Sequence, residues 1–316
     1  MIKKNVLSSP RLLKTILLFS CFISSLATAE NKTLSLKKIH DNVYAIFGQL
    51  GDRTADNLGN NANFGFIITD NGIVLIDSGA SLQGAKAIHS LIKSISKKKI
   101  TTVINTGGQD HRWLGNDYYS RLGATIIASK AAVKDHIART SDQLDRLTSA
   151  IGAEKLKGTV KKTADIAFEK HYILKSGSTK IELFHTGTAH TPGDSIVWLP
   201  DSKTIFSGDI IYTQRMLGVI PVSNSKSWLT AFEKIIELKP EFVIPGHGKT
   251  TDLSSAKKDT YRYLKTLRKK TLAFMDAGQG IENISAIKQD EFSYLKNYDI
   301  LKGRNAQKVF EELEWE

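Results

Sequence analysis

The chain has 316 residues, 41% hydrophobic and 24% charged, with a formal net charge of +12. That length and balance suit one large core with an appendage, and exclude a disordered or fibrous chain. The bases are scattered, at 97–99, 161–162, 257–258 and 268–270. No basic stripe is interleaved with aromatics, so solvated surface is expected and a nucleic-acid partner is not.

The first segment carries Lys3, Lys4, Arg11 and Lys14 and no acid, followed by the apolar stretch TILLFSCFISSLATA. Ala27-Thr28-Ala29 fits a small-x-small cleavage signal, so residues 1–29 read as a secretory signal peptide. The expected product is periplasmic or secreted, with no membrane span left after cleavage. Removing 29 of 316 residues leaves 287 with net charge +8, because four bases go and no acid does. The single cysteine, Cys21, leaves too. No disulfide can then staple the mature chain, and a metal site must use His, Asp, Glu or Gln.

In the mature chain, VYAIFG (43–48) and NFGFIITDNGIVLIDSG (63–79) read as strands with an Asn-Gly turn at Asn71-Gly72. SLQGAKAIHSLIKSISK (81–97) has helical apolar spacing. TTVINT is a buried strand, GNDYYSRLG opens a helix ending near Gly123, ATIIAS is a strand, and a long helix runs from Ala131 to Gly152. Strands return in HYILKSGSTKIELFHT, DSIVWLP and TIFSGDIIY, then helix SKSWLTAFEKIIEL and strand FVIPGHG. From Ser254 the chain is helical and charged, with Tyr261, Tyr263, Leu264, Leu267 and Leu272 expected as one apolar stripe. Two α/β halves and a helical tail favour two packed sheets with helices outside.

Site residues collect where strands end. Asp77 lies in IDSG (76–79), His190 in GTAHTPGD (187–194), Asp209 in FSGD (206–209) and His247 in PGHG (245–248). Neutral imidazoles and carboxylates in such a mixture suit zinc and similar cations. Neighbouring glycines allow the tight turns that convergence needs. Taken singly, each stretch is more often a plain polar turn; together and in order they are specific.

That series resembles the metallo-β-lactamase superfamily over about residues 40–250. The resemblance implies an αββα sandwich of two mixed β-sheets flanked by helices, with one or two metal ions in a cleft. It divides the chain into a signal peptide (1–29), a metallo-β-lactamase-like domain (30–253) and a C-terminal helical extension (254–316). By position, His190 resembles a ligand of the first metal, Asp209 the bridging carboxylate, His247 a ligand of the second, and Asp77 a buried acid supporting the site.

VINTGGQDHRWLGN (103–116) departs from that pattern. The family writes H-x-H-x-D-H where this chain, aligned without gaps, has Gly107, Gln109, His111 and Arg112. A register shifted by one would instead match Asp110-His111 to the family's Asp-His pair. Both registers place His111 with Asp209 and His247, and Asp110 or His190 could add a fourth ligand. Arg112 repels a cation unless it turns to a carboxylate such as Asp209.

The expectation is therefore a reduced metallohydrolase with one zinc ion rather than two. Asp209 or Asp110 orients a metal-bound water, and Arg112 or Gln109 steadies the oxyanion. The substrate is a small molecule with an ester, amide or phosphoester-type bond. Two alternatives stay open: a non-catalytic binding protein with a degenerate site, and a mononuclear non-haem iron enzyme, since two histidines and a carboxylate also suit iron.

Overall fold

A computed structural model describes residues 1–2 and 33–316. Apart from residues 1–2, the expected signal peptide and its cleavage site lie outside the described residues. The unit Asn31–Glu316 is considered by itself. Among the described residues no helix is long and apolar enough to cross a membrane.

The first sheet holds β1 (Ser35–His40), β2 (Val43–Phe47), β3 (Phe64–Thr69), β4 (Gly72–Ile76), β5 (Ile100–Ile104), β6 (Thr125–Ser129) and β7 (Ile166–Phe168), side by side in sequence order. β1 to β4 pair antiparallel, and β4 to β7 pair parallel. Thr69 pairs with Gly72, so the hairpin tip is Asp70-Asn71, with Gly72 at φ +139° opening β4. The parallel half needs crossovers. α1 (Leu82–Ile95) supplies one, while α2 (Asp110–Trp113) and α3 (Asn116–Arg121) supply the next. α4 (Lys130–Ile151) and α5 (Ala153–Leu156) lead to β7.

The second sheet contains β8 (His171–Ser176), β9 (Thr179–Phe184), β10 (Ile196–Leu199), β11 (Thr204–Phe206) and β12 (Phe242–Ile244), in the order β12-β11-β10-β9-β8. Its one parallel pair, β11 with β12, is joined through α6 (Ser225–Leu238). β11 is shorter than the TIFSGDIIY stretch suggested. After Phe206 the chain turns into a 3₁₀ turn, Gly208–Ile210, with Gly208 at φ +50°. That turn aims Asp209 inward instead of continuing the ladder.

Period-two alternation explains the layering. In β4, Val74 and Ile76 face the other sheet and meet Val197, Phe206 and Ile244. Ile73 and Leu75 face outward onto Ile88 and Ile92 of α1. Gly65 permits the sheets to approach, because a Cβ there would lie 2.0 Å from the Phe206 ring. On the far side, Trp228, Phe232 and Ile235 of α6 cover Trp198, Ile205 and Val243. The architecture is α/β, two mixed sheets between helical layers.

The C-terminal helices belong to that outer layer. α7 (Leu253–Ala256) passes through a π turn, Lys257–Tyr261, into α8 (Arg262–Asp276), and α9 (Tyr298–Leu313) closes the chain. Tyr263, Leu264, Leu267 and Val309 share one apolar cluster with Trp228 and Phe232. Leu272, expected in the same stripe, is 49% exposed, and buried Thr271 takes the inward position.

Candidate metal centre

Every motif singled out above ends at one edge of the sandwich. Asp77 follows β4, residues 105–112 follow β5, His190 lies between β9 and β10, Asp209 follows β11 and His247 follows β12. The long β2–β3 connection, residues 48–63, adds a sixth loop.

Arg112 is the hub. It is 1% exposed, and its Nη1 donates to Asp77 Oδ2 at 2.8 Å and to the Asn63 carbonyl at 2.8 Å. Its Nη2 donates to Asp209 Oδ1 at 2.7 Å and to the Gly246 carbonyl at 3.3 Å, and its Nε to Asp209 Oδ2 at 3.3 Å. A guanidinium has five N–H groups, and these contacts use all of them. Arg112 therefore positions Asp209 and has no donor left for a substrate oxyanion. Asp77, at φ +63°, is held by the Thr106 N–H and hydroxyl, both at 2.7 Å. A non-glycine in that conformation is uncommon and tends to mark a site whose surroundings enforce it.

His111, Asp209 and His247 are all buried, with donor atoms within 4.8 Å of one another. His111 Nε2 is 3.3 Å from Asp209 Oδ2, and His247 Nε2 is 3.2 Å from Asp209 Oδ1. A tetrahedral ion with bonds near 2.0–2.1 Å sets its donors about 3.3 Å apart, so the spacing fits one ion. His247 donates from Nδ1 to the Asn61 carbonyl at 3.0 Å and stacks on Tyr212, ring centroids 4.7 Å apart. Burial holds its pKa well below the ordinary value despite Asp209. For Asp209, burial opposes the charge, but Arg112 and the two imidazoles outweigh it and keep the carboxyl well below the usual range.

His190, expected as a ligand, does not join the three. Its Nδ1 donates to the Gly218 carbonyl at 2.8 Å, and its Nε2 meets the Gln109 amide at 2.7 Å. Both ring nitrogens have protein partners, and burial pushes its pKa down to about 4 against the pull of Asp209. Gly107 offers no donor, and a Cβ there would lie 2.4 Å from Asp194 Oδ1. Burial and then the nearby Asp209 charge push Asp194 up to about 8. Among the described residues, His111, Asp209 and His247 are the one group of three or more such side chains whose donor atoms converge.

Asp110 does not join the converging donors. Its Oδ1 accepts from the His111 backbone N–H at 2.7 Å and from Arg53 Nε at 3.1 Å, with a closer contact from Arg53 Nη2. Burial disfavours its charge, but Arg53 and His111 hold its pKa far below the usual range. Gln109, Asp110, Arg53, Gln143 and Arg146 line a cavity of about 300 Å³ beside the centre.

Several contributors carried no sequence signal. Arg53 sits in a polar glycine-containing loop, and its partners lie 57 and 58 residues on. Arg215 places Nη1 3.5 Å from His247 Nδ1 and 3.1 Å from the Gly51 carbonyl. Asn63 binds the carbonyls of Pro245 and Gly248 at 2.8 and 2.6 Å, pinning the turn that presents His247.

The profile of the Metallo-beta-lactamase superfamily matches residues 58–247, which include Asp77, Arg112, His111, His190, Asp209 and His247. The chain belongs to the metallo-beta-lactamase superfamily. Its resemblance to that superfamily, read from IDSG through PGHG, is thereby confirmed. A metallo-beta-lactamase type 2 of Bacillus sp. (strain 170) is 24% identical to it over 268 residues, 79% of this chain and 95% of that protein. A solved metallo-beta-lactamase from Pontibacter korlensis matches with TM-score 0.57 and 21% identity, over 71% of this chain and 95% of that one. A double mutant of the sec-alkyl sulfatase PisA1 matches at TM-score 0.70 and 18% identity, over 90% of this chain and 50% of that one. That coverage reaches into the C-terminal helices. Membership together with the converging His111, Asp209 and His247 supports metal-dependent hydrolysis as the activity class.

Proposed function

We propose that this superfamily member is an exported hydrolase with a single divalent cation, preferably zinc. His111, Asp209 and His247 hold the ion, and the substrate is a small molecule with an ester, amide or phosphoester-type bond. The observation carrying this reading is the 3.2 and 3.3 Å spacing of the two imidazoles about one carboxylate. A cation bound there supplies a water of lowered pKa and a Lewis-acid contact for the attacked group. Arg112 fixes the orientation of Asp209 and neutralises part of its charge. The Gln109 amide and Asp110 face the cavity, where they can hydrogen-bond a substrate's polar groups. Export rests on the residue 1–29 segment alone, and the mature start is placed near Glu30.

A second reading is a binding protein on the same fold that uses no ion. It is favoured by the protein partners of the site's polar groups: Gln109 on His190, Arg112 on Asp209 and Arg53 on His111. Elemental analysis of the purified mature chain, followed by zinc titration and a hydrolysis panel, separates the two. One ion per chain with zinc-dependent turnover is expected. No ion at any zinc concentration leaves only the binding reading.

A further inference from the structure

The two imidazoles of the candidate site differ in what lies closest to Nδ1: for His247 it is the Asn61 carbonyl at 3.0 Å, with Arg215 farther off at 3.5 Å, and for His111 it is Arg53 at 2.9 Å. His247 donates from Nδ1 to a backbone carbonyl, which leaves the Nε2 lone pair facing inward. Ligating histidines are commonly oriented in this way. His111 is set against it. Arg53 Nη2 lies 2.9 Å from His111 Nδ1, and a guanidinium carries donors only. Of the two groups near Nδ1, Arg53 is the closer, 2.9 Å against 3.3 Å for Asp110 Oδ1, which favours an accepting Nδ1 and a ring hydrogen on Nε2, facing Asp209 Oδ2 3.3 Å away. In that tautomer His111 has no lone pair to give a cation at this centre.

The partner for the other tautomer is already in place. Asp110 Oδ1 is 3.3 Å from the same Nδ1, and a carboxylate accepts. Without Arg53, Nδ1–H donates to Asp110 and Nε2 turns its lone pair toward Asp209 and His247. That is the carboxylate–histidine pairing that supports ligating imidazoles. No proton is gained or lost; it moves from one ring nitrogen to the other. Asp110 keeps the His111 backbone N–H at 2.7 Å and gains the ring hydrogen, so losing Arg53 does not strand its charge. Arg53 has a route outward: its side chain is 24% exposed, in a loop whose residues 54–56 are exposed. The neighbouring cavity offers it the Asp52 carboxylate.

We propose that Arg53 is a latch on the candidate cation site, holding His111 in its non-ligating tautomer until the guanidinium withdraws and Asp110 takes its place. The proposal rests on the single-ion reading of His111, Asp209 and His247. Arg53 is a positioning residue here, acting through His111.

The test compares zinc affinity, by competition with a chromophoric chelator, in the mature wild type, Arg53→Ala and Asp110→Asn. Long-range ¹H–¹⁵N spectra of the zinc-free proteins report the His111 tautomer directly. The latch predicts Nε2–H in the wild type and Nδ1–H in Arg53→Ala. It also predicts zinc binding about tenfold tighter or more in Arg53→Ala, and about 10–100-fold weaker in Asp110→Asn, the range typical of such supporting partners. A wild type already in the Nδ1–H tautomer, or equal affinity with and without Arg53, overturns the latch and leaves the single-ion reading standing. Failure of all three proteins to bind zinc overturns that reading and the latch with it.

Discussion

Arg112 and Asp209 meet edge to edge, Nη2 to Oδ1 at 2.7 Å and Nε to Oδ2 at 3.3 Å, while the guanidinium's other edge grips Asp77. One cation thus serves two carboxylates, and all three side chains are buried. Arg112→Met should cost about 3–5 kcal/mol, since it leaves buried charges uncompensated. Arg112→Lys should recover only part, because an ammonium cannot present the same planar fork. Urea unfolding at neutral pH measures both. A Met variant as stable as the parent would remove Arg112 from its structural role.

The last helix reaches the centre through Asn305. Its Oδ1 accepts from the Val219 N–H and its Nδ2 donates to the Leu217 carbonyl, both at 2.8 Å. Between them, the Gly218 carbonyl holds His190 Nδ1 at 2.8 Å. Asn305→Ala strands a buried N–H and a buried carbonyl, an expected loss of about 1–3 kcal/mol. It should also shift the His190 ring ¹⁵N resonances. Unchanged resonances alongside a lower melting temperature would confine Asn305 to packing.

Writing the family pattern back into the loop, as Gly107→His with Gln109→His, would on sequence grounds raise the metal count toward two. Asp194 opposes this. It stands 2.4 Å from where the new Cβ would be, and Thr191 fixes it through its N–H at 2.7 Å and hydroxyl at 2.5 Å. The double variant is expected to stay at one zinc or fewer and to melt lower. Two zinc ions per chain by elemental analysis would show that Asp194 yields.

Acid should destabilise the fold through buried neutral histidines. Burial pushes His136 down to about 4, partly offset by its bond to the Gly107 carbonyl. Between about pH 6.5 and 4 the unfolded chain binds the proton that native His136 refuses, so stability falls as pH drops through that window. The full shift is worth about 3 kcal/mol at most. His136→Phe can keep the stack on Trp113, now 4.4 Å between centroids, without titrating. The urea midpoint of that variant should fall less steeply from pH 6.5 to 4. An unchanged slope would mean that other groups carry the acid lability.

Much of the fold was legible because its signals are local. α6 coincides with the SKSWLTAFEKIIEL pattern, and the β3–β4 hairpin follows from two apolar runs joined at the Asn71-Gly72 turn signal. β1 and the three-residue β7 were missed, because no residue of β1 is buried and β7 is too short to show a period. The same divide runs through the centre. Asp77, Asp209 and His247 sit beside glycines in strand-end motifs, so sequence order gave them away. Arg53 and Asn305 act across 58 and 86 residues, and nothing local distinguishes them from solvated polar side chains. Whether His111 can ligate depends on which ring nitrogen carries hydrogen, and that turns on Arg53, Asp110 and Asp209, which the local sequence around His111 does not place.

Zinc content should separate the three histidines of the cleft. His247 already faces Asp209 with Nδ1 anchored on a carbonyl, so His247→Ala should lower zinc affinity by orders of magnitude, as loss of a true ligand does. His111→Ala should do the same on the single-ion reading. If His111 only closes local hydrogen bonds at the start of α2, its removal would leave zinc content untouched. His190 is the control. Its two ring nitrogens are taken by Gly218 and Gln109, and it lies outside the converging group. His190→Ala should therefore keep one zinc per chain while losing some stability. Chelator competition on the three variants, with elemental analysis after dialysis, gives the ordering. Loss of zinc from His190→Ala with retention in His111→Ala would move the ion to the Gln109 side of the cleft and reassign its ligands.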